Sequence, residues 1–176
     1  MLKNNVIIAF SSDKICSKII NILKKNGIEY DYVFKTGVAL RNALYLCENA
    51  IILCGTDFVD EPTYQIIQDF YEDFTFLLLG NIDKINIFSD KMVYKIPTPI
   101  KQEDIINGIY IAYYKNEEKY EQKKAKYIQK AKQILIQNKN FTESQAHKYI
   151  QQKSMETGKK NIHIAKAIIK KYENKK

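Results

Sequence analysis

The feature that most constrains this chain is an alternation in its first hundred residues, where short apolar runs take turns with segments of helical periodicity. Val6-Ile7-Ile8-Ala9-Phe10 is almost wholly apolar, as expected of a strand covered on both faces. Ser12 is placed to cap a helix whose Ile15, Ile19, Ile22 and Leu23 follow the i, i+4, i+7, i+8 pattern, and Gly27 ends it. The same reading predicts strands over 30–34, 50–54, 74–79 and 92–96. It predicts helices over 36–46 and 61–71 and a short one over 84–88. Five strands separated by helices imply right-handed crossovers and an α/β fold, a doubly wound parallel sheet of the flavodoxin-like kind. Such a sheet presents its functional groups at the carboxyl ends of its strands.

Beyond Gln102 the character changes. There is no proline and glycine occurs only at 108 and 158, so the spacing predicts one long helix over 103–138. Ile106, Tyr113, Tyr120 and Tyr127 recur at steps of seven, a heptad position that suits a dimerisation helix or a face packed within the same chain. The companion seam is weak, since steps of three beyond these residues give Ile109, Asn116, Lys123 and Lys130. Thr142 followed by Gln145 fits a capping box, starting a helix that runs to about Thr157 and stops at Gly158. A last helix covers roughly 161–172. Ile134, Leu135, Ala146, Ile150, Met155, Ile164, Ala165 and Ile168 form the expected core of this small unit. The domain plan is 1–101 for the sheet, 102–126 for the linking helix and 127–176 for the helical unit.

Charge follows the same division. Residues 1–115 hold 12 Lys/Arg against 14 Asp/Glu, whereas residues 116–176 hold 16 Lys against 6 Glu. The whole chain is +8, so the basic excess belongs to the helical part and points to an anionic partner there. Cys16, Cys47 and Cys54 sit among apolar residues, which suits a reducing cytoplasm better than a disulfide framework. No apolar run approaches the length of a membrane span, and the segment leading into the first strand carries no targeting pattern. No metal-ligand cluster, Gly-rich phosphate loop or nucleophile–base arrangement is visible. We therefore expect neither an enzyme nor a cofactor protein.

With those strand ends in place, the N-terminal part resembles the receiver domain of bacterial response regulators in two-component systems. That resemblance implies an acidic pair after strand one, a phosphate-accepting aspartate after strand three, Ser/Thr after strand four and Lys-Pro after strand five. Here the acidic pair falls on Ser11 and Ser12, or on Phe10 and Ser11 one register away. The acceptor falls on Cys54 or Gly55, the Ser/Thr on Leu79 or Gly80, and the lysine on Thr98 before Pro99. Phosphoryl transfer to a carboxylate needs that carboxylate, a divalent ion and a cation to hold the product. Hydroxyls bring no charge to a metal site and a thiol forms no acyl phosphate. The expectation is a pseudo-receiver with a degenerate pocket at Ser11, Ser12, Cys54, Gly80 and Thr98, leaving Asp57 as an unconventional candidate acceptor.

The stretch from Ala131-Lys132 through Thr142-Glu143-Ser144-Gln145-Ala146 and Ser154-Met155 to Ile164-Ala165 strongly resembles the ANTAR domain. That family is an RNA-binding three-helix module of bacterial transcription antiterminators. Gln133 stands where glycine is common, and Asn161 where Leu or Met is usual. A receiver-like domain joined by a long helix to ANTAR is the family's usual architecture. Members with degenerate receivers, as in the amidase-operon and nitrate-assimilation antiterminators, are not controlled by phosphorylation. The resemblance implies binding to leader RNA with paired hairpins, holding them against an overlapping terminator. Lys132, Lys148, Tyr149, Gln151, Gln152, Lys153, Lys159, Lys160 and Lys166 are the RNA-contact candidates in the matching region. Lysines would hold phosphates while Tyr149 or His147 stacks on a base. A homodimer through the linking helix and a regulatory protein partner complete the expected associations. A DNA-binding regulator, or an interaction protein with an acidic partner, is the alternative reading of the same charge.

Overall fold

The protein is described here by a computed structural model covering residues 5–173. It contains β1 (Asn5–Ala9), α1 (Asp13–Lys25), β2 (Tyr32–Phe34), α2 (Gly37–Leu46), β3 (Ala50–Gly55), α3 (Thr63–Phe70), β4 (Thr75–Gly80), α4 (Ile82–Ile85), β5 (Val93–Pro97), α5 (Gln102–Lys139), α6 (Glu143–Thr157) and α7 (Asn161–Glu173). The strands form one parallel sheet in the order β2-β1-β3-β4-β5. The first strand pairs on both sides, Ile8 opposite Val33 and also opposite Leu53. The chain separates into two compact units, Met1–Tyr120 and Glu121–Lys176.

Alternation along the strands divides the core of the first unit in two. Ile7, Ala9, Ile52, Cys54, Phe76 and Leu78 point toward α2, α3 and α4, where Leu40, Leu44, Ile66, Ile67 and Ile85 meet them. Ile8, Phe10, Ile51, Leu53, Leu77 and Leu79 point the other way, toward Cys16, Ile19 and Leu23 of α1 and Ile105, Ile109 and Ala112 of α5. Both faces are covered, which is why the central strands read as unbroken apolar runs. The short helix after β4 begins at Ile82, two residues earlier than its periodicity suggests. The Asn81 side chain accepts from the Asp83 amide at 2.9 Å and starts the helix directly after the strand.

α5 begins at the carboxyl end of β5. Its buried line is Ile105, Ile109, Ala112 and Asn116, so of the companion seam Ile109 and Asn116 are buried while Lys123 and Lys130 are not. Ile106 and Tyr113, from the ladder of sevens, are half-buried at the rim of the same core. Two polar groups on this face carry unusual burdens. Asn116 is fully buried and neither its side-chain nitrogen nor its oxygen has a hydrogen-bond partner. Lys119 donates from Nζ to the carbonyls of Tyr71 and Phe74, the latter at 2.7 Å, covering the chain where α3 gives way to β4. Burial, reinforced by Lys115 nearby, pulls the Lys119 ammonium down to about 8.

The second unit closes around Ala131, Leu135, Ala146, Ile150, Ile164, Ala165, Ile168 and Ile169, with Ile134 half-buried beside them. The capping box forms as expected. Thr142 Oγ1 accepts from the Gln145 amide at 3.2 Å, and Gln145 Oε1 accepts from the Thr142 amide at 2.8 Å. Gly158 closes α6 with φ +65°, a left-handed conformation open to glycine at no steric cost. At the start of α7, Ile162 takes the buried place that Asn161 leaves unfilled. Met155 departs from its expected core role: it is 84% exposed. Ile150 fills the interior, and 155 lies five residues further on, about 140° around the helix.

Candidate functional site

At the carboxyl ends of the strands the residues are arranged for packing. β1 ends at Ala9, so the two residues after it are Phe10 and Ser11, and Ser12 caps α1 by accepting from the Ile15 amide at 3.5 Å. Phe10 is buried, and a Cβ added at Gly55 would lie 3.2 Å from its Cδ1. A phenyl ring therefore covers the place where a side chain at the end of β3 would emerge. Cys54 does not line this pocket. It faces the opposite layer, fully buried among residues of α2 and α3, where burial pushes its thiol up to about 12. The alternation of the strand decides this, because Leu53 and Gly55 share one face and Cys54 takes the other. Gly80 closes against Thr56, whose Cγ2 would be 2.7 Å from an added Cβ. Thr98 is exposed and donates its amide to the Gly80 carbonyl at 2.9 Å.

The carboxylates nearby all have partners. Asp57 accepts from Lys84 Nζ at 2.6 Å and Thr56 Oγ1 at 2.9 Å, and these bonds hold its carboxyl below the usual range. Ser11 Oγ donates to the Asp57 carbonyl at 3.2 Å. Asp60 receives the amides of Val38 and Gly37 at 3.0 and 2.8 Å, which lowers its pKa and caps α2. Asp13 pairs with Lys35 at 2.5 Å. A magnesium ion takes oxygen ligands and relies on carboxylates. A phenyl ring, a hydroxyl and a glycine at the ends of β1 and β3 do not fit one. Among the described residues, no group of three or more His, Cys, Asp or Glu is placed to hold a metal ion.

In the second unit, the predicted contact residues fall into two sets. Lys132 is largely covered and pairs with Glu143 at 2.8 Å, tying α5 to the first turn of α6. The pair holds the Glu143 carboxyl below its ordinary value. Lys153 pairs with Glu156 at 2.5 Å, and Lys166 lies over the Tyr127 ring at 5.3 Å. Each of these three makes a contact within the unit. Lys148, Gln151, Gln152, Lys159 and Lys160 are exposed, and the three lysines among them have no carboxylate partner among the described residues. Together with Met155 they cover one side of α6 and the turn after it. Tyr149 is half-buried against the core with Phe141, ring centroids 5.8 Å apart. Lys139 lies over both rings, 4.7 Å from the Tyr149 centroid and 5.6 Å from that of Phe141. Sequence reasoning passed over Lys139 and Phe141. Their signal was the Lys-Asn-Phe-Thr corner, where Asn140 takes φ 52°. Of the tyrosine ladder, Tyr127 packs on this core and Tyr120 is half-buried.

Among the described residues, no helix is long and apolar enough to cross a membrane. No curated protein sequence matches the chain. Solved structures resemble it over the first unit. One is the signal receiver domain of an HD domain-containing protein from Pseudomonas fluorescens, 12% identical, covering 69% of this chain and 94% of that one at a TM-score of 0.59. A response regulator receiver domain protein from Clostridium thermocellum is 14% identical and covers 65% and 97% at 0.56. A CheY-like receiver domain protein from Methanospirillum hungatei is 13% identical and covers 65% and 97% at 0.54. At such identities the likeness establishes the fold. Residues 119–169 match the family model of the ANTAR domain. The chain thus carries an ANTAR domain at 119–169, after an N-terminal domain of response-regulator receiver fold.

Proposed function

We propose that this protein is an RNA-binding transcription antitermination regulator that stabilises paired hairpins in leader RNA. The observation that carries this reading is the coincidence of the ANTAR match at 119–169 with the segment holding the whole positive excess of the chain. Phosphate contacts by lysine supply affinity and register, while loop bases supply sequence information. The exposed face bearing Lys148, Gln151, Gln152, Lys159 and Lys160 is the surface for both, supported by the lack of a carboxylate partner for its lysines among the described residues. Lys132, Lys153 and Lys166, which also contact Glu143, Glu156 and Tyr127 of the unit, complete the proposed surface. A gel shift tests the reading: a two-hairpin leader RNA should compete far better than duplex DNA at matched salt. Preference for the DNA would overturn it.

The receiver-fold unit, in the same proposal, is a pseudo-receiver whose output does not depend on phosphorylation. Phe10 over Gly55 and the engagement of Asp57 by Lys84 and Thr56 support this. Incubation with magnesium and a small phosphodonor should leave the intact mass unchanged, and stoichiometric acid-labile labelling would refute the idea. Homodimerisation through α5 belongs to the proposal as well, using Tyr120 and the outward edges of Ile106, Tyr113 and Tyr127. Sedimentation of the full chain, with and without RNA, measures it. Control would then rest with a regulatory protein partner or with abundance.

A further inference from the structure

We infer that the corner between α5 and α6 is a stacking site for one unpaired nucleobase, with Tyr149 as its platform, Phe141 as its wall and Lys139 as a displaceable cover. The inference deepens the RNA-binding reading above and rests on it. Lys139 is the last residue of α5, and its ammonium lies over two aromatic rings with no carboxylate partner among the described residues. An exposed lysine held this way is weakly committed, since an exposed cation–π contact is worth little. The rings are held differently. Both are half-buried against Ala146, Ile150 and their neighbours, so their orientation is fixed before any ligand arrives. A rigid aromatic face with two rotatable side-chain angles loses little entropy on binding.

A nucleobase stacks on such a face whatever its identity, and an aromatic surface beside an electropositive groove is the usual device for unpaired strands. Entry of a base over Tyr149 displaces Lys139 from the rings. Its ammonium then swings outward to the phosphate of the same nucleotide, exchanging a cation–π contact for a charge-assisted one. Exposed Lys148 and Gln152 stand beside Tyr149 in sequence and one turn along α6. They are placed for the flanking phosphate and the edge of the base. A fully paired helix offers no unpaired base for the platform, so the site distinguishes a loop from a stem.

The test uses the full chain with two synthetic RNAs, a stem-loop with an all-adenine loop and its stem alone as a blunt duplex. Tyr149→Leu keeps an apolar side chain at the position and loses the ring. It should weaken stem-loop binding about tenfold and leave duplex binding within about twofold. Tyr149→Phe should bind both RNAs as the unaltered protein does. Abasic substitution along the loop, read with the unaltered protein, should find one position of similar cost, and this arm needs no variant to fold. Equal stem-loop binding by Tyr149→Leu, or a loop indifferent to every abasic position, would overturn the stacking site and leave RNA binding standing. Failure of the unaltered protein to bind either RNA at low salt would overturn both.

Discussion

In the receiver-fold unit, the groups at the carboxyl ends of the strands are turned to packing and internal pairing. In the helical unit, a small core leaves a row of cationic and amide side chains outside. Phe10 covers Gly55, Thr56 covers Gly80, and Asp57, Asp60 and Asp13 each have a partner. By contrast Lys148, Lys159 and Lys160 have no carboxylate among the described residues, and Met155 stands open. The difference teaches where binding chemistry can reside. A site needs groups whose hydrogen-bonding and charge capacity is not already satisfied by the fold. By that measure the exposed lysines of the helical unit keep more unspent charge than the paired carboxylates Asp13, Asp57 and Asp60.

The largest test restores what the sheet lacks. Gly55→Asp places a carboxylate against the Phe10 ring, and overpacking of this kind costs about 1–3 kcal/mol. We expect a lower denaturation midpoint and no acyl phosphate by intact mass. A variant as stable as the parent that labels with a phosphodonor would break the comparison. Next is Asn116→Leu, which exchanges an unpartnered buried amide for an apolar side chain of similar size. It should raise stability by about 1 kcal/mol or more in urea denaturation, since an unsatisfied buried group costs about 1–3 kcal/mol. A loss would mean that Asn116 has a role the fold depends on.

Lys119 gives a pH-dependent test. Its folded value, about 8, lies below the unfolded value of 10.5, so between these the unfolded chain binds more protons. The penalty for its charge is fully present below pH 8 and is relieved as pH rises toward 10.5. Relative to Lys119→Met, the parent should gain stability between pH 8 and 10, followed by denaturation at several pH values. Equal slopes for the two proteins would show an ammonium in ordinary solvent. The smallest effect sharpens the helical side. Lys148→Gln should reduce the dependence of log K on log salt by about 0.7 for a single-stranded target, and Lys132→Gln by less, because its ammonium already holds Glu143. Equal reductions would erase the distinction between working and structural lysines.

Much of the architecture was legible because its causes are local. Apolar runs bounded by Ser12, Thr36 and Gly27 placed the strands and helices, and Thr142 with Gln145 marked the start of α6. Less legible was which face of each helix is buried. On α5 the sevenfold tyrosines drew attention, yet Ile105, Ile109, Ala112 and Asn116 form the buried line. An aromatic ring reaches the rim of a packed face from several positions, so its spacing alone does not identify the seam. Met155 shares its hydrophobicity with the core but sits on the wrong side of the helix. Nothing in the sequence signalled that Lys132, a motif lysine, pairs with Glu143.

The sequence by itself determined the alternation, the parallel sheet, the capping box of α6 and the location of the positive charge. Each of these depends on residues within a few turns of one another, or on simple counting. Only the tertiary structure decided that Phe10 covers Gly55, that Lys119 reaches Tyr71 and Phe74, and that Lys139 rests on Phe141 and Tyr149. Most of these contacts join residues dozens of positions apart. Whether a polar or aromatic group is spent on packing or left for a partner depends on its neighbours in space.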